Sequence, residues 1–113
     1  TGADLRGLDL TGLPLRRMIL DAADFRGTNL TNVKEISAAG ANFDGAVLRG
    51  ATATRLVGCS LIAADARRLA LGRHLHSSGC DPVGSDFSQA DLTISHFQRA
   101  DAQGAKFAGA TLS

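Results

Sequence analysis

The chain has 113 residues, enough for one domain, and its 12 basic and 11 acidic side chains leave a net charge of +1. That balance excludes a whole-surface attraction to nucleic acid or to an anionic membrane, and no apolar run approaches the length of a membrane span. Apolar residues make up 44% but aromatics only 4%, with no Trp and no Tyr: little bulk for a globular core of this size, but enough for a narrow solenoid interior.

A unit of five residues recurs along the chain. Ala3-Asp4-Leu5-Arg6-Gly7, Ala23-Asp24-Phe25-Arg26-Gly27, Ala41-Asn42-Phe43-Asp44-Gly45 and Ala90-Asp91-Leu92-Thr93-Ile94 share one form. The central large residue is position i, the small residue before it is i−2, and i−1, i+1 and i+2 are mostly polar or glycine. A period of five fits neither the helical period of 3.6 nor the strand period of 2. All five phenylalanines fall at i.

Taken in order, centres at Leu5, Leu10, Leu15 and Leu20 keep strict register, and Phe25 and Leu30 continue it. The next good centre is Phe43, 13 residues on instead of 10, which three extra residues at 33–35 would absorb. The register slips by three again at Leu56-Val57-Gly58 and by one at Gly79. From Leu92 it is strict again through Phe97, Ala102 and Phe107 to Leu112.

The pattern resembles that of the pentapeptide repeat family from end to end. The resemblance implies an all-β fold, a right-handed quadrilateral parallel β-helix in which four repeats make one coil. Residues i and i−2 point inward and the other three outward. Stacked on that basis, the chain is expected to form about five to six coils. Small bulges at 33–35, 56–58 and 79 would share one corner, between the second and third sides. One side would stack Leu5, Phe25, Leu48, Leu71, Leu92 and Leu112, and another Leu20, Phe43, Ala66, Phe87 and Phe107. Residues 1–113 read as a single solenoid. Thr1-Gly2 looks like the tail of a preceding repeat and Ala110-Thr111-Leu112-Ser113 breaks off before its glycine, so a fragment of a longer protein is expected. With no signal peptide visible, the cytoplasm is the expected location, a secreted effector the alternative.

Few residues invite chemistry. His74 and His76 fall at i−2 and i near Cys80, a weak candidate metal set; the plainer reading has the imidazoles filling space above Ala51 and Ala53. Cys59 and Cys80 fall at i−2 in adjacent coils, either as small buried thiols in the place of alanine or as a disulfide. Thr11, Thr31, Thr54 and Ser77 are expected to stack as a hydroxyl ladder. No nucleophile with its base and orienting group, no phosphate loop and no catalytic carboxylate pair assembles from outward residues, so no enzyme and no cofactor are expected.

The surface offers more. Arg6, Arg26 and Arg49 are expected to stack at i+1, flanked by Asp4 and Asp24, which would neutralise them in part. Val33, Leu56 and Val57 in the bulged corner, with Ile62 and Val83 beside it, form an apolar strip that a partner could cover. The function expected is a non-catalytic interaction module: a rigid scaffold that presents flat sides to a protein, with no direct contact to nucleic acid or membrane. End-to-end self-association is a further expectation. The resemblance also implies an alternative, since quinolone-resistance members of the family imitate duplex DNA and bind DNA gyrase. That imitation needs an acidic surface, which a net charge of +1 does not supply.

Overall fold

A five-residue unit is too short to satisfy its own backbone, so each N–H and C=O must find a partner in the next turn of the chain. In the computed structural model, which describes residues 2–15, 19–78, 83–92 and 103–112 (side chains of 72–78, 92 and 112 excepted), the coils above and below supply those partners. The Leu5 N–H donates to the Asp24 carbonyl at 2.9 Å and the Asp24 N–H donates back to Ala3 at 2.8 Å. One coil up, the Phe25 N–H donates to Asn42 at 2.7 Å and the Asn42 N–H to Ala23 at 3.0 Å. The result is a right-handed, four-sided β-helix, as the repeat pattern implies.

Parallel bridges between i−1 residues trace each side. Asp4, Asp24, Asn42 and Ser60 mark the first; Asp9, Asn29, Val47, Asp65, Asp86 and Lys106 mark the second. The third and fourth sides carry the longer pairings of β1 (Ile36–Ala39), β2 (Thr52–Val57), β3 (Ala70–Ser78), β4 (Asp91–Leu92) and β5 (Thr111–Leu112), a parallel sheet in chain order. Aspartate or asparagine at i−1 has a local cause. Its side-chain oxygen accepts the N–H of residue i+1 on the outer face, as Asp4 does from Arg6 (3.2 Å), Asn42 from Asp44 (2.9 Å) and Asp86 from Ser88 (2.9 Å). Corners close by a bond from residue i+3 back to i, such as Ala46 to Phe43 at 2.9 Å. This turn needs a positive φ at its third residue, where Gly45 stands at +66°.

The inward set matches the expectation drawn from the repeat. Phe25, Phe43, Leu48, Leu61, Leu71 and Phe87 are buried, with Ala23, Ala41, Ala46 and Cys59 at i−2 beside them, and Phe107 packs partly buried against the same core. Leu8 and Leu13, in the first described coil, are half exposed.

The stacking order departs from expectation. Residues 33–35 and 56–58 do not bulge outward as three-residue insertions: Val33 is 0% exposed and Leu56 is 2% exposed. The middle coils are shorter by two residues. Phe25 stands beneath Phe43, and Leu30 beneath Leu48, each 18 positions away, where Leu5 and Phe25 are 20 apart. The lost residues come from the corner between the third and fourth sides, where β2 runs straight from Ala53 to Leu56 without a turn. So Phe43 stacks on Phe25, not on Leu20, with ring centroids 4.7 Å apart and planes within 3°. Leu48 lies over Leu30, not over Phe25. Further up, Ala66 and Phe87 are neighbours 21 positions apart, one residue longer than a regular coil; Gly79 lies outside the described residues.

Candidate functional site

The shortened coils redistribute the sequence's candidate residues. Val33 and Leu56 are core side chains and cannot touch a partner. Val57 and Val83 are half-buried and Ile62 is 38% exposed. Ile62 and Val83 do neighbour each other on the first side, as the Ala63 N–H bond to the Val83 carbonyl (2.9 Å) requires, but Val57 lies at the opposite corner of that side. The apolar strip is therefore reduced to two residues.

Arg6 and Arg26 stack as expected and are neutralised where they stand. Arg6 holds Asp4 through Nε and Nη2 at 2.8 Å each, and reaches Asp24 in the next coil at 3.7 Å. Arg26 holds Asp24 at 2.6 Å. The Arg6 side chain and its N–H lower the Asp4 carboxyl to a pKa of about 2, and the Arg26 side chain lowers Asp24 likewise. Arg49 does not join this column. Above Arg26 comes Asp44, which accepts hydrogen bonds from the Ser60 hydroxyl and, at 3.0 Å, from the Ile62 N–H.

Arg49 belongs instead to the corner between the second and third sides. There the coils present Thr31-Asn32, Arg49-Gly50, Arg67-Arg68 and Ser88-Gln89 one above another, lining an open cleft of about 590 Å³. Asp65 lies between two cations, 2.8 Å from Arg49 Nε and 2.8 Å from Arg67 Nη2. The Arg67 side chain, and then that of Arg49, lowers the Asp65 pKa. Arg68 Nε donates to Gln89 Oε1 at 3.1 Å, and Lys34 Nζ donates to the Gly50 carbonyl at 3.2 Å.

The backbone at this corner is unusual. Asn32, Arg68 and Gln89 all hold positive φ, near 60°, in a column they share with Gly12, Gly50 and Gly109, where the neighbouring corner uses Gly7, Gly27, Gly45, Gly84 and Gly104 with one alanine, Ala63. Left-handed backbone costs a non-glycine residue about 1–2 kcal/mol. Gly50 sits between Asn32 and Arg68 in the same column, and its missing side chain makes room for that of Asn32. A Cβ there would collide with Asn32 Oδ1. Sequence reasoning missed Arg67, Arg68, Asn32 and Gln89. The available signal was the non-glycine residues at i+2, which fall in one column only once the coil length of 18 is known.

The remaining candidates separate cleanly. Thr11 and Thr31 neighbour each other in adjacent coils, but Thr54 lies on another side and donates to the Ile36 carbonyl at 3.4 Å. β pairing sets His76 over Arg55, not over Ala53, whose partner is Leu71. The side chains of His74 and His76, and all of Cys80, lie outside the described residues, so the metal reading and the Cys59–Cys80 pairing do too. Cys59 is buried, its sulfur 3.6 Å from the Ala38 carbonyl oxygen.

Solved structures with similar architecture are themselves repeat proteins. HetL, a pentapeptide repeat protein involved in heterocyst differentiation regulation in the cyanobacterium Nostoc sp. strain PCC 7120, is 27% identical with a TM-score of 0.49. All of this chain aligns with it, and the chain spans 56% of HetL's length. A pentapeptide repeat protein of the Arabidopsis thaliana thylakoid lumen is 24% identical over 97% of this chain and 65% of its own, with a TM-score of 0.34. The plasmid-mediated fluoroquinolone resistance protein QnrB1 is 16% identical over 100% of this chain and 84% of its own, with a TM-score of 0.36. No curated protein matches the chain. Eight copies of the pentapeptide repeat pattern match residues 1–34 and 78–113, leaving the stretch that contains the shortened coils unmatched. On the strength of that match, over more than half of its length, the chain belongs to the pentapeptide repeat family.

Proposed function

We propose that the chain is a non-catalytic protein-interaction module, a stiff β-solenoid whose flat sides and corners carry side chains to a partner. The observation that carries this reading is the coil-to-coil hydrogen bonding over a filled core among the described residues, which holds outward residues in fixed columns. A surface held this rigidly spends little conformational entropy when a partner docks. Stability and presentation are both near-neighbour properties in such a stack.

The gyrase-binding alternative needs a continuous acidic face in place of a phosphate backbone. Arg6 and Arg26 at one corner and Arg49, Arg67 and Arg68 at the next interrupt it. A supercoiling assay with the full-length protein tests it, and potent inhibition of gyrase would overturn the scaffold reading. The direct test is affinity purification with residues 1–113 in parallel with the full-length protein. Retention of a shared partner by both supports the module. If the full-length protein holds partners and residues 1–113 hold none of them, the reading fails.

A further inference from the structure

We propose that the cleft at the corner between the second and third sides takes an acidic peptide segment of a protein partner, laid along the stack of coils. This rests on the interaction-module reading above and names the surface and the chemistry it would use.

Charge is the first reason. Arg49, Arg67 and Arg68 line the cleft and Lys34 reaches its edge at the Gly50 carbonyl, while Lys106 lies beside Asp86 on the same side. The carboxylates among them are Asp65 and Asp86, with Glu35 next to Lys34 in the chain, so positive charge is in excess. Asp65 is shared by Arg49 and Arg67 and orders both guanidinium groups. Arg68 has no carboxylate partner among the described residues; its Nε meets only the neutral Gln89 amide, which leaves its remaining N–H groups for a ligand.

Backbone conformation is the second reason, and it is independent of charge. Glycine satisfies the positive φ of this corner at Gly12, Gly50 and Gly109. Arg68 and Gln89 keep long polar side chains there against that preference, and strained residues of this kind gather at binding sites; Asn32 tolerates the conformation and adds an amide. Gly50, between them, makes room for the Asn32 amide at the cleft.

The chemistry favours peptide over nucleic acid. The chain has no Trp or Tyr, and Phe25, Phe43 and Phe87 are fully buried, so the cleft offers no ring for a base to stack on. The amides of Asn32 and Gln89 and the hydroxyls of Thr31 and Ser88 instead suit the N–H and C=O groups of an extended peptide. Acidic residues at its alternate positions would recur about every 6.8 Å along one face.

The test is a fluorescence-anisotropy titration of residues 1–113 with a short labelled peptide of alternating Glu and Ser, at physiological ionic strength. Arg68→Gly removes the guanidinium and relieves the strained backbone, so it should fold with an unchanged or higher melting temperature while weakening binding at least ~10-fold. Arg26→Ser makes the same charge change at the neighbouring corner, outside the cleft, and should leave the affinity unaltered. Equal losses in both variants would show general charge attraction and overturn the cleft. So would no binding by folded wild-type chain, or tighter binding of a single-stranded oligonucleotide than of the peptide. None of these results touches the scaffold reading, which stands or falls on partner retention by residues 1–113.

Discussion

Phe43→Ala is the substitution that tests the most. The Phe43 ring is fully buried, lies flat on Phe25 at 4.7 Å, and has Leu61 in the coil above. Truncating a buried phenylalanine costs about 3–5 kcal/mol, because neighbours held by their own coil-to-coil bonds cannot collapse into the space. Against a typical domain stability of about 5–15 kcal/mol, that is a large fraction. For a chain of this length it should lower the melting temperature by roughly 12–25 °C. Thermal unfolding followed by circular dichroism measures it. A double-mutant cycle then tests the stacking order. Phe25→Leu and Phe43→Leu should couple by about 0.5–1.5 kcal/mol, while Leu20→Ala and Phe43→Leu should be additive. A melting temperature within a few degrees of wild type for Phe43→Ala would refute its burial, and coupling to Leu20 instead of Phe25 would refute the 18-residue coil.

Further outcomes follow from the same geometry. Val33→Asp and Leu56→Asp each bury an unpaired carboxylate and should abolish folding or cost more than about 3 kcal/mol, whereas Ile62→Asp at the surface should stay within about 1 kcal/mol, as urea titration would show. Gly50→Ala should destabilise by about 1–2 kcal/mol through its left-handed backbone, and unchanged urea midpoints would contradict the placement of Gly50 against Asn32. Acid should act late. Arg6, Arg26, Arg67 and Ser88 lower the carboxyls of Asp4, Asp24, Asp65 and Asp86, so the stability they add is present above their unfolded pKa near 4 and is lost as pH falls toward the folded value, about 2 for Asp4. Melting temperature should therefore be flat from neutral pH to about 5 and fall only below about 4, by a modest amount because these pairs are exposed. A loss beginning near pH 6 would point to another group.

Much of the fold was legible in the sequence because facing is a local property. Whether a side chain points in or out depends on its place within five residues, and Phe25, Phe43, Leu48 and Phe87 could be assigned without knowing what lay above them. The i−1 aspartates and i+2 glycines are local in the same sense, each satisfying a turn a few atoms away. Even Arg6 and Arg26 were paired correctly with Asp4 and Asp24, two residues distant.

Coil length is not local. An insertion of three residues and a deletion of two leave the same phase in a period of five, so the sequence between Leu30 and Phe43 is equally compatible with a longer coil or a shorter one. Only closure of the turn against its neighbours decides, and it chose the shorter, drawing Val33 and Leu56 inward to fill the core. Made in two successive coils, that choice moved later residues first one side and then two sides around, placed Arg49 beside Arg67 instead of over Arg26, and brought Asn32, Gly50, Arg68 and Gln89 into one column. The amino-acid order settled which side chains are inside, because facing repeats with each five residues. The folded chain settled which of them meet, because contact between coils depends on how many residues complete a turn.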